Sequence, residues 1–381
     1  MRLLFATTTP LHRHEAPAYH VLSLCGELAR HGAEVTLLHR KDPRGLVLPG
    51  NVAGLELCGV PWVPVRGWGR AFLRLFARRL RRLQASGKFD WLYLRLGPDR
   101  PILEALEHSP IPVAYEVLGL DYLEDSCLQA AARRFALILT DNQEKVRRIR
   151  DRWGLAEQSF ALKPACAILP ESIPEFATPG IRQRYGLSDR EFVILHSSSF
   201  RFHHDFDTIL AAVGKLSFPA ALVFCGDGLR RPEIRAKARR LPLRALFPGA
   251  LPHRELMQLT MAADACVNAL TPAAQATGNL RAFKVFEYAA CGVPVVETYD
   301  PRCSLEGWVS RCLALARCGD PEGMAAHFRD IHASPDRWRH RAAEARQRVL
   351  INRTWRTVAA QLLEALEAKA ACPDHRTQPC G

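Results

Sequence analysis

The chain has 381 residues, 48% of them hydrophobic, which is enough for a sizeable core in each of two or three domains and excludes disorder, a mini-protein or a fibre. Its 52 Lys and Arg against 39 Asp and Glu give a formal charge of +13, which suits an anionic partner: nucleic acid, a membrane surface or a phosphorylated substrate. The 12 cysteines are scattered through apolar segments without a CxxC pair, so they read as buried thiols of a reducing cytoplasm, and no metal site is expected.

Apolar runs of strand length alternate with helix-length segments, the pattern of parallel sheets wrapped by helices. The N-terminal MRLLFATTTP is too short and too polar in its sequel for a signal segment, and it reads as the opening strand, Leu3–Thr7. Helix Ala18–His31 follows, then strands Glu34–His39, Leu55–Val60, Trp91–Arg95, Pro112–Glu116 and Ala136–Thr140. Within this half, GRAFLRLFARRLRRLQASGK (69–88) carries seven basic residues and no acid, with Phe72, Phe76, Leu80 and Leu83 at helical spacing. It is an amphipathic helix with a cationic face, which either docks on anionic lipid or forms a solvated cover over the core. Glu116 and Arg95 each end a strand and are expected to face a cleft, although a strand-end Glu also serves to pair with an Arg. His12, His14 and His20 are expected at the surface or in loops.

A proline-rich stretch, Leu169 to Gly180, reads as an interdomain linker, after which the alternation restarts. Helix Ile181–Tyr185, strand Phe192–Ser197, helix Phe206–Leu216, strand Ala220–Cys225 and helix Leu229–Arg240 are followed by strand Ala245–Phe247, helix His253–Ala263 and strand Ala265–Ala269. Helix Arg281–Cys291 leads into strand Val293–Thr298, and the chain from Pro321 to Ala368 is helical in pattern. The expected class is α/β, with a first doubly wound domain over 1–170, a second over 171–350, and a helical tail over 351–381 that crosses back to the first. Ligands of such sheets bind outside the strand C-termini, so a cleft between the domains is the expected active site. No segment approaches the roughly 20 apolar residues of a membrane span, so a cytoplasmic protein with at most peripheral contact at the inner membrane face is expected.

Chemistry concentrates in KVFEYAACGVPVV (284–296), where Lys284 shares a helix face with Glu287 and Tyr288. A small polar loop precedes this helix, with Gly278, Asn279 and Leu280 near its start. A helix N-terminus offers unpaired N–H groups and a positive dipole end, so it can hold a diphosphate without a metal.

These residues resemble the family 4 glycosyltransferases, whose hallmark K-x-x-E-Y-x-A-x-G-x-P-V-V is matched from Lys284 to Val296. Further segments follow the family's order: AALVFCGDGLRRPEI, FPGALPHRELMQLTMAADACVNAL, ELARHGAEVTLL and NRTWRTVAAQLLEAL. The resemblance implies the GT-B fold of two facing Rossmann-like domains and transfer of a sugar, with retention, from a nucleotide-diphosphate sugar to a hydroxyl acceptor, with no metal or other cofactor. It also implies that Glu287 binds ribose hydroxyls, that backbone around Gly278, Asn279 and Leu280 and the Gly226 turn lines the donor, and that the loop holding Leu251 lies near the base. Catalytic roles would fall to Glu116, Arg201 and Lys284.

Three departures stand out. Asn279 replaces the family's first Glu, His204 stands where a diphosphate-neutralising Lys is expected, and the first loop lacks its glycine pair. Arg201 would restore the lost charge, and a diphosphate would favour imidazolium at His204; the alternative is a plain polar turn. The expected partners are therefore a nucleotide sugar, an acceptor such as a lipid-linked glycan of the cell envelope, and an anionic membrane at the 69–88 helix. Nucleic acid has only net charge in its favour. Binding of a nucleotide or glycan without transfer, and sugar epimerisation, are the competing activities.

Overall fold

A computed structural model describes residues 1–12, 16–45, 53–65, 67–164, 166–276, 283–301 and 307–371. The chain divides into two compact units, one built from Met1–Ala167 and the segment returning at Trp355, the other from Ile168–Thr354.

The first unit runs β1 (Arg2–Thr7), α1 (Ala16–Arg30), β2 (Glu34–Lys41), β3 (Leu55–Pro61), α2 (Trp68–Gln84), β4 (Trp91–Leu94), α3 (Arg100–Glu104), β5 (Val113–Glu116), α4 (Ser126–Ala132), β6 (Leu137–Thr140), α5 (Gln143–Trp153) and β7 (Phe160–Leu162). Its strands form one parallel sheet in the order β3-β2-β1-β4-β5-β6-β7. β1, β4, β5 and β6 are almost wholly buried, as expected of continuous apolar runs covered on both faces. Local signals set the helix ends. Asn142 caps α5 by accepting from the Lys145 N–H at 2.9 Å, and Gly154, at φ 67, stops it. In α2, Phe72, Phe76 and Leu80 are buried against the sheet and the arginines face outward, as the helical spacing predicts.

The second unit runs α6 (Ile181–Arg184), β8 (Phe192–Ser197), α7 (Phe206–Val213), β9 (Ala220–Cys225), α8 (Arg231–Ala238), β10 (Arg244–Gly249), α9 (His253–Met261), β11 (Ala265–Asn268), α10 (Pro272–Ala276), α11 (Phe283–Ala290), β12 (Val295–Tyr299), α12 (Gly307–Cys312), β13 (Ala314–Arg317), α13 (Pro321–Ala333) and α14 (Pro335–Asn352). The six strands are parallel in the order β10-β9-β8-β11-β12-β13, so this sheet too reverses direction next to its first strand. The last helix, α15 (Trp355–Ala371), belongs to the first unit, where it packs on α1; the Trp355 ring meets His20 edge-on at 4.5 Å.

Differences from the sequence reading are local. β7 and β13 have three and four residues, too few to show a period. α8 starts at Arg231 rather than Leu229 because Gly228 holds φ 154, outside helical space. β12 starts at Val295, since Pro294 has no N–H to give, although its carbonyl accepts from Cys266 N at 2.8 Å. Not every cysteine is buried: Cys127 is exposed, and Cys166 and Cys318 are half-buried. Among the described residues, no helix is long and apolar enough to cross a membrane.

Candidate functional site

In the second unit the strand C-termini carry a tightly packed set of turns. β8 ends at Ser197, whose N–H donates to the Tyr288 hydroxyl at 2.7 Å, tying the strand to α11. The turn after β9 holds Gly226 at φ 111 and Gly228 at φ 154. A Cβ on Gly226 would lie 1.9 Å from the Ser198 carbonyl oxygen, and one on Gly228 the same distance from that of Ser199, so only glycine lets these backbones approach. Phe200, fully buried at φ 46, sits in the left-handed region that a bulky residue rarely occupies. Leu251 is half-buried in the connection between β10 and α9.

α11 packs Lys284, Glu287 and Tyr288 into this end of the unit, all three buried. The Lys284 Nζ lies 3.4 Å from His204 Nδ1 and 3.5 Å from its Nε2. A point nearly equidistant from both nitrogens lies against the ring face, where neither lone pair is aimed at it. Burial pushes the Lys284 ammonium down to about 7, against the pull of Glu287. Glu287 in turn bonds His253, with Nε2 and Oε1 2.6 Å apart.

His204 is itself buried, and burial followed by the Lys284 charge drives its imidazole far below the ordinary histidine range. The imidazolium at His204 is expected only beside a diphosphate; in its own surroundings burial and the Lys284 charge of α11 hold this ring neutral. Arg201 is exposed on the same loop, where its charge acts on His203 and His204. Gly278, Asn279 and Leu280 lie outside the described residues.

In the first unit Glu116 is buried at the end of β5, not open to solvent. It accepts from the Tyr93 hydroxyl at 2.6 Å and lies 3.2 Å from Lys163 Nζ and 3.5 Å from both His20 Nε2 and Arg95 Nε. Burial alone would raise its pKa, but Lys163, His20 and Arg95 together hold it well below the carboxylate range. His20, pushed down to about 3 mainly by burial, is neutral. Of the histidines expected at the surface or in loops, His12 lies in the turn after β1 with its side chain 4% exposed beside Asp42, whereas His20 is corrected: it is buried on α1, in the Glu116 cluster. His14 lies outside the described residues. Lys163, His20 and His253 carried no readable signal, because each joins its partner from a distant element. Among the described residues, no group of three His, Cys, Asp or Glu is placed to hold a metal ion.

Comparison with known proteins bears on this geometry. Residues 223–364, which include Gly226, Leu251, Lys284 and Glu287, match the family described as "Glycosyl transferase-like". This segment is glycosyltransferase-like. The chain is also 33% identical over 172 residues to a GDP-mannose-dependent alpha-(1-6)-phosphatidylinositol dimannoside mannosyltransferase of Mycobacterium tuberculosis, a match over 42% of this chain and 39% of the relative. It therefore spans about two-fifths of the length of that curated relative. Solved structures match nearly end to end. Sucrose-phosphate synthase from Thermosynechococcus elongatus superposes with a TM-score of 0.76 at 16% identity, covering 97% of this chain and 99% of that one. Anabaena HepE in complex with UDP-glucose gives 0.71 at 16%, and WaaG, a glycosyltransferase of lipopolysaccharide biosynthesis, 0.67 at 14%, each covering 97% of this chain and 100% of the other. The fold is GT-B, with two Rossmann-like parallel-sheet units.

Proposed function

We propose that this protein is a retaining glycosyltransferase that draws its donor, a nucleoside-diphosphate sugar, into the second unit and transfers the sugar to a hydroxyl of a lipid-linked or envelope glycan. The observation that carries the reading is the buried Glu287–Lys284 pair on α11, inside the segment that matches the glycosyltransferase-like family. Glu287 has its second carboxylate oxygen and an exchangeable partner, His253, to offer to ribose hydroxyls. Lys284 and the Arg201 loop supply positive charge for a departing diphosphate, and the glycine turns at Gly226 and Gly228 let backbone lie close to a ligand. The mannosyltransferase relative makes GDP-mannose the first donor to try, and its named acceptor is a lipid. The arginine face of α2 fits such an acceptor, because it would hold the protein at an anionic membrane surface.

The test is calorimetric titration with GDP-mannose and UDP-glucose, followed by a turnover assay on the donor that binds. Glu287→Ala is expected to weaken that donor by at least tenfold while leaving the circular dichroism spectrum unchanged. Unaltered affinity would remove Glu287 from the site. A second reading, donor binding without transfer, is favoured by the neutral His204 where relatives place a lysine; hydrolysis-free turnover with any acceptor extract excludes it.

A further inference from the structure

In the second unit one buried lysine lies among imidazoles, and the carboxylate that acts on it, Glu287, is itself bonded to a further histidine. Lys284 Nζ lies against the His204 ring, which also meets His203 at 4.1 Å and His196 at 5.5 Å between ring centroids. His196, fully buried at the end of β8, donates from Nδ1 to the Val267 carbonyl at 2.8 Å, so its Nε2 is a bare lone pair, and that atom has no hydrogen-bond partner. Glu287, one turn along α11, is the carboxylate acting on Lys284, and it is bonded to His253 of α9. Arg201 adds positive charge from the His204 loop, while Arg230, before α8, donates to the His204 carbonyl at 3.5 Å with its charge paired to Glu233 and Asp207. Arg353, at the end of α14, sits over the Phe286 ring of α11.

From this arrangement we infer that the donor's diphosphate is neutralised by Lys284, reaching across from α11 to the position vacated at His204, and that a donor arriving at the uncharged amine draws a proton from solvent onto Lys284. The inference rests on the donor-site reading above and deepens it. An ammonium buried among neutral rings is costly without an anion, so the empty site favours the free amine. A diphosphate brings that anion, and the ammonium is restored at its side. The imidazoles are poorer competitors for the proton, since burial and the Lys284 charge both oppose it on His196, His203 and His204. With the unliganded amine near 7, the site is already largely charged at pH 6 and largely neutral at pH 8.

Nucleotide sugars suit the test because neither esterified phosphate titrates near neutrality. UDP-glucose, GDP-mannose, ADP-glucose and dTDP-glucose are screened by thermal shift at pH 6. The binder is then titrated calorimetrically at pH 6 and pH 8 in buffers of different ionisation enthalpy. The expected result is clear proton uptake per donor at pH 8 and markedly less at pH 6, with affinity falling up to about tenfold per pH unit where the amine is uncharged. Binding at pH 8 without proton uptake, or an affinity flat between pH 7 and pH 9, overturns the inference and leaves the donor site standing. Failure of all four sugars to bind at pH 6 overturns both. Lys284→Arg, which carries its charge at every pH, is expected to bind with no uptake, and His204→Gln to keep it. Uptake persisting in Lys284→Arg would assign the proton to another group and refute the role of Lys284.

Discussion

Lys284 and Glu116 are both buried and charged in at least one state, yet their surroundings drive them in opposite directions. Around Glu116, Lys163 and Arg95 supply the counter-charge, so removing the carboxylate leaves two cationic groups in the interior. Glu116→Gln is expected to cost about 3 kcal/mol or more, read from urea unfolding at pH 7. Because its folded pKa lies below the ordinary value, the contribution of Glu116 is complete above the normal carboxylate range and is lost as pH falls through the depressed value. Lys284 shares this slope with pH, but its buried charge is a cost to stability where that of Glu116 is a gain. The lysine pKa falls from 10.5 to about 7 on folding, so the unfolded chain binds more protons between these values and stability rises with pH across them. Lys284→Met is therefore expected to raise Tm in the absence of donor, most at pH 6 and progressively less toward pH 10, while abolishing donor affinity. A Tm gain independent of pH would contradict this. Such a gain at the expense of binding is the usual relation between stability and a functional charge.

Among the elements, the glycine turn after β9 and helix α2 make the sharpest claims. Gly226 was legible as a turn residue from the Gly-Asp-Gly sequence, but the reason that alanine cannot replace it lies in Ser198, 28 positions earlier, whose carbonyl would stand 1.9 Å from the new Cβ. Gly226→Ala is expected to cost about 2 kcal/mol or more and to shift the β8–α7 loop that carries His204, so that donor affinity falls with stability. For α2, the hydrophobic period alone assigned the buried Phe72, Phe76 and Leu80 and the outward arginines. The structure adds that Arg79 Nε lies 3.3 Å from Cys58 Sγ of β3, so Arg79 is partly engaged by the fold. The better test set is Arg74, Arg78, Arg81 and Arg82, all exposed. At about 1 kcal/mol for each, their replacement by Gln is expected to reduce partition onto phosphatidylserine-containing vesicles roughly a thousandfold, while binding to uncharged vesicles is unaffected. Equal sedimentation of wild type and variant would remove α2 from any membrane role.

For the molecule as a whole, the +13 charge includes the outward face of α2 in the first unit and Lys284 and Arg201 in the second, with further basic excess along α8 and α14. A donor held at 100 times its Kd is expected to stabilise the protein by about 2.7 kcal/mol, visible as a rise in Tm that a tenfold weaker Glu287→Ala variant cuts to about half at the same donor concentration. The sequence by itself determined the two parallel sheets, because strands buried on both faces are continuous apolar runs and the helices between them carry their own caps and periods. It also determined α11 as the chemical centre, since Lys284, Glu287 and Tyr288 are spaced by the helical repeat itself. Only the tertiary structure decided what those residues meet. The pairing of Glu287 with His253, of Lys284 with His204, and of Glu116 with Lys163 joins positions 34, 80 and 47 apart in the chain. Protonation at these sites depends on burial and on neighbours brought from other elements, and no local pattern of residues encodes either.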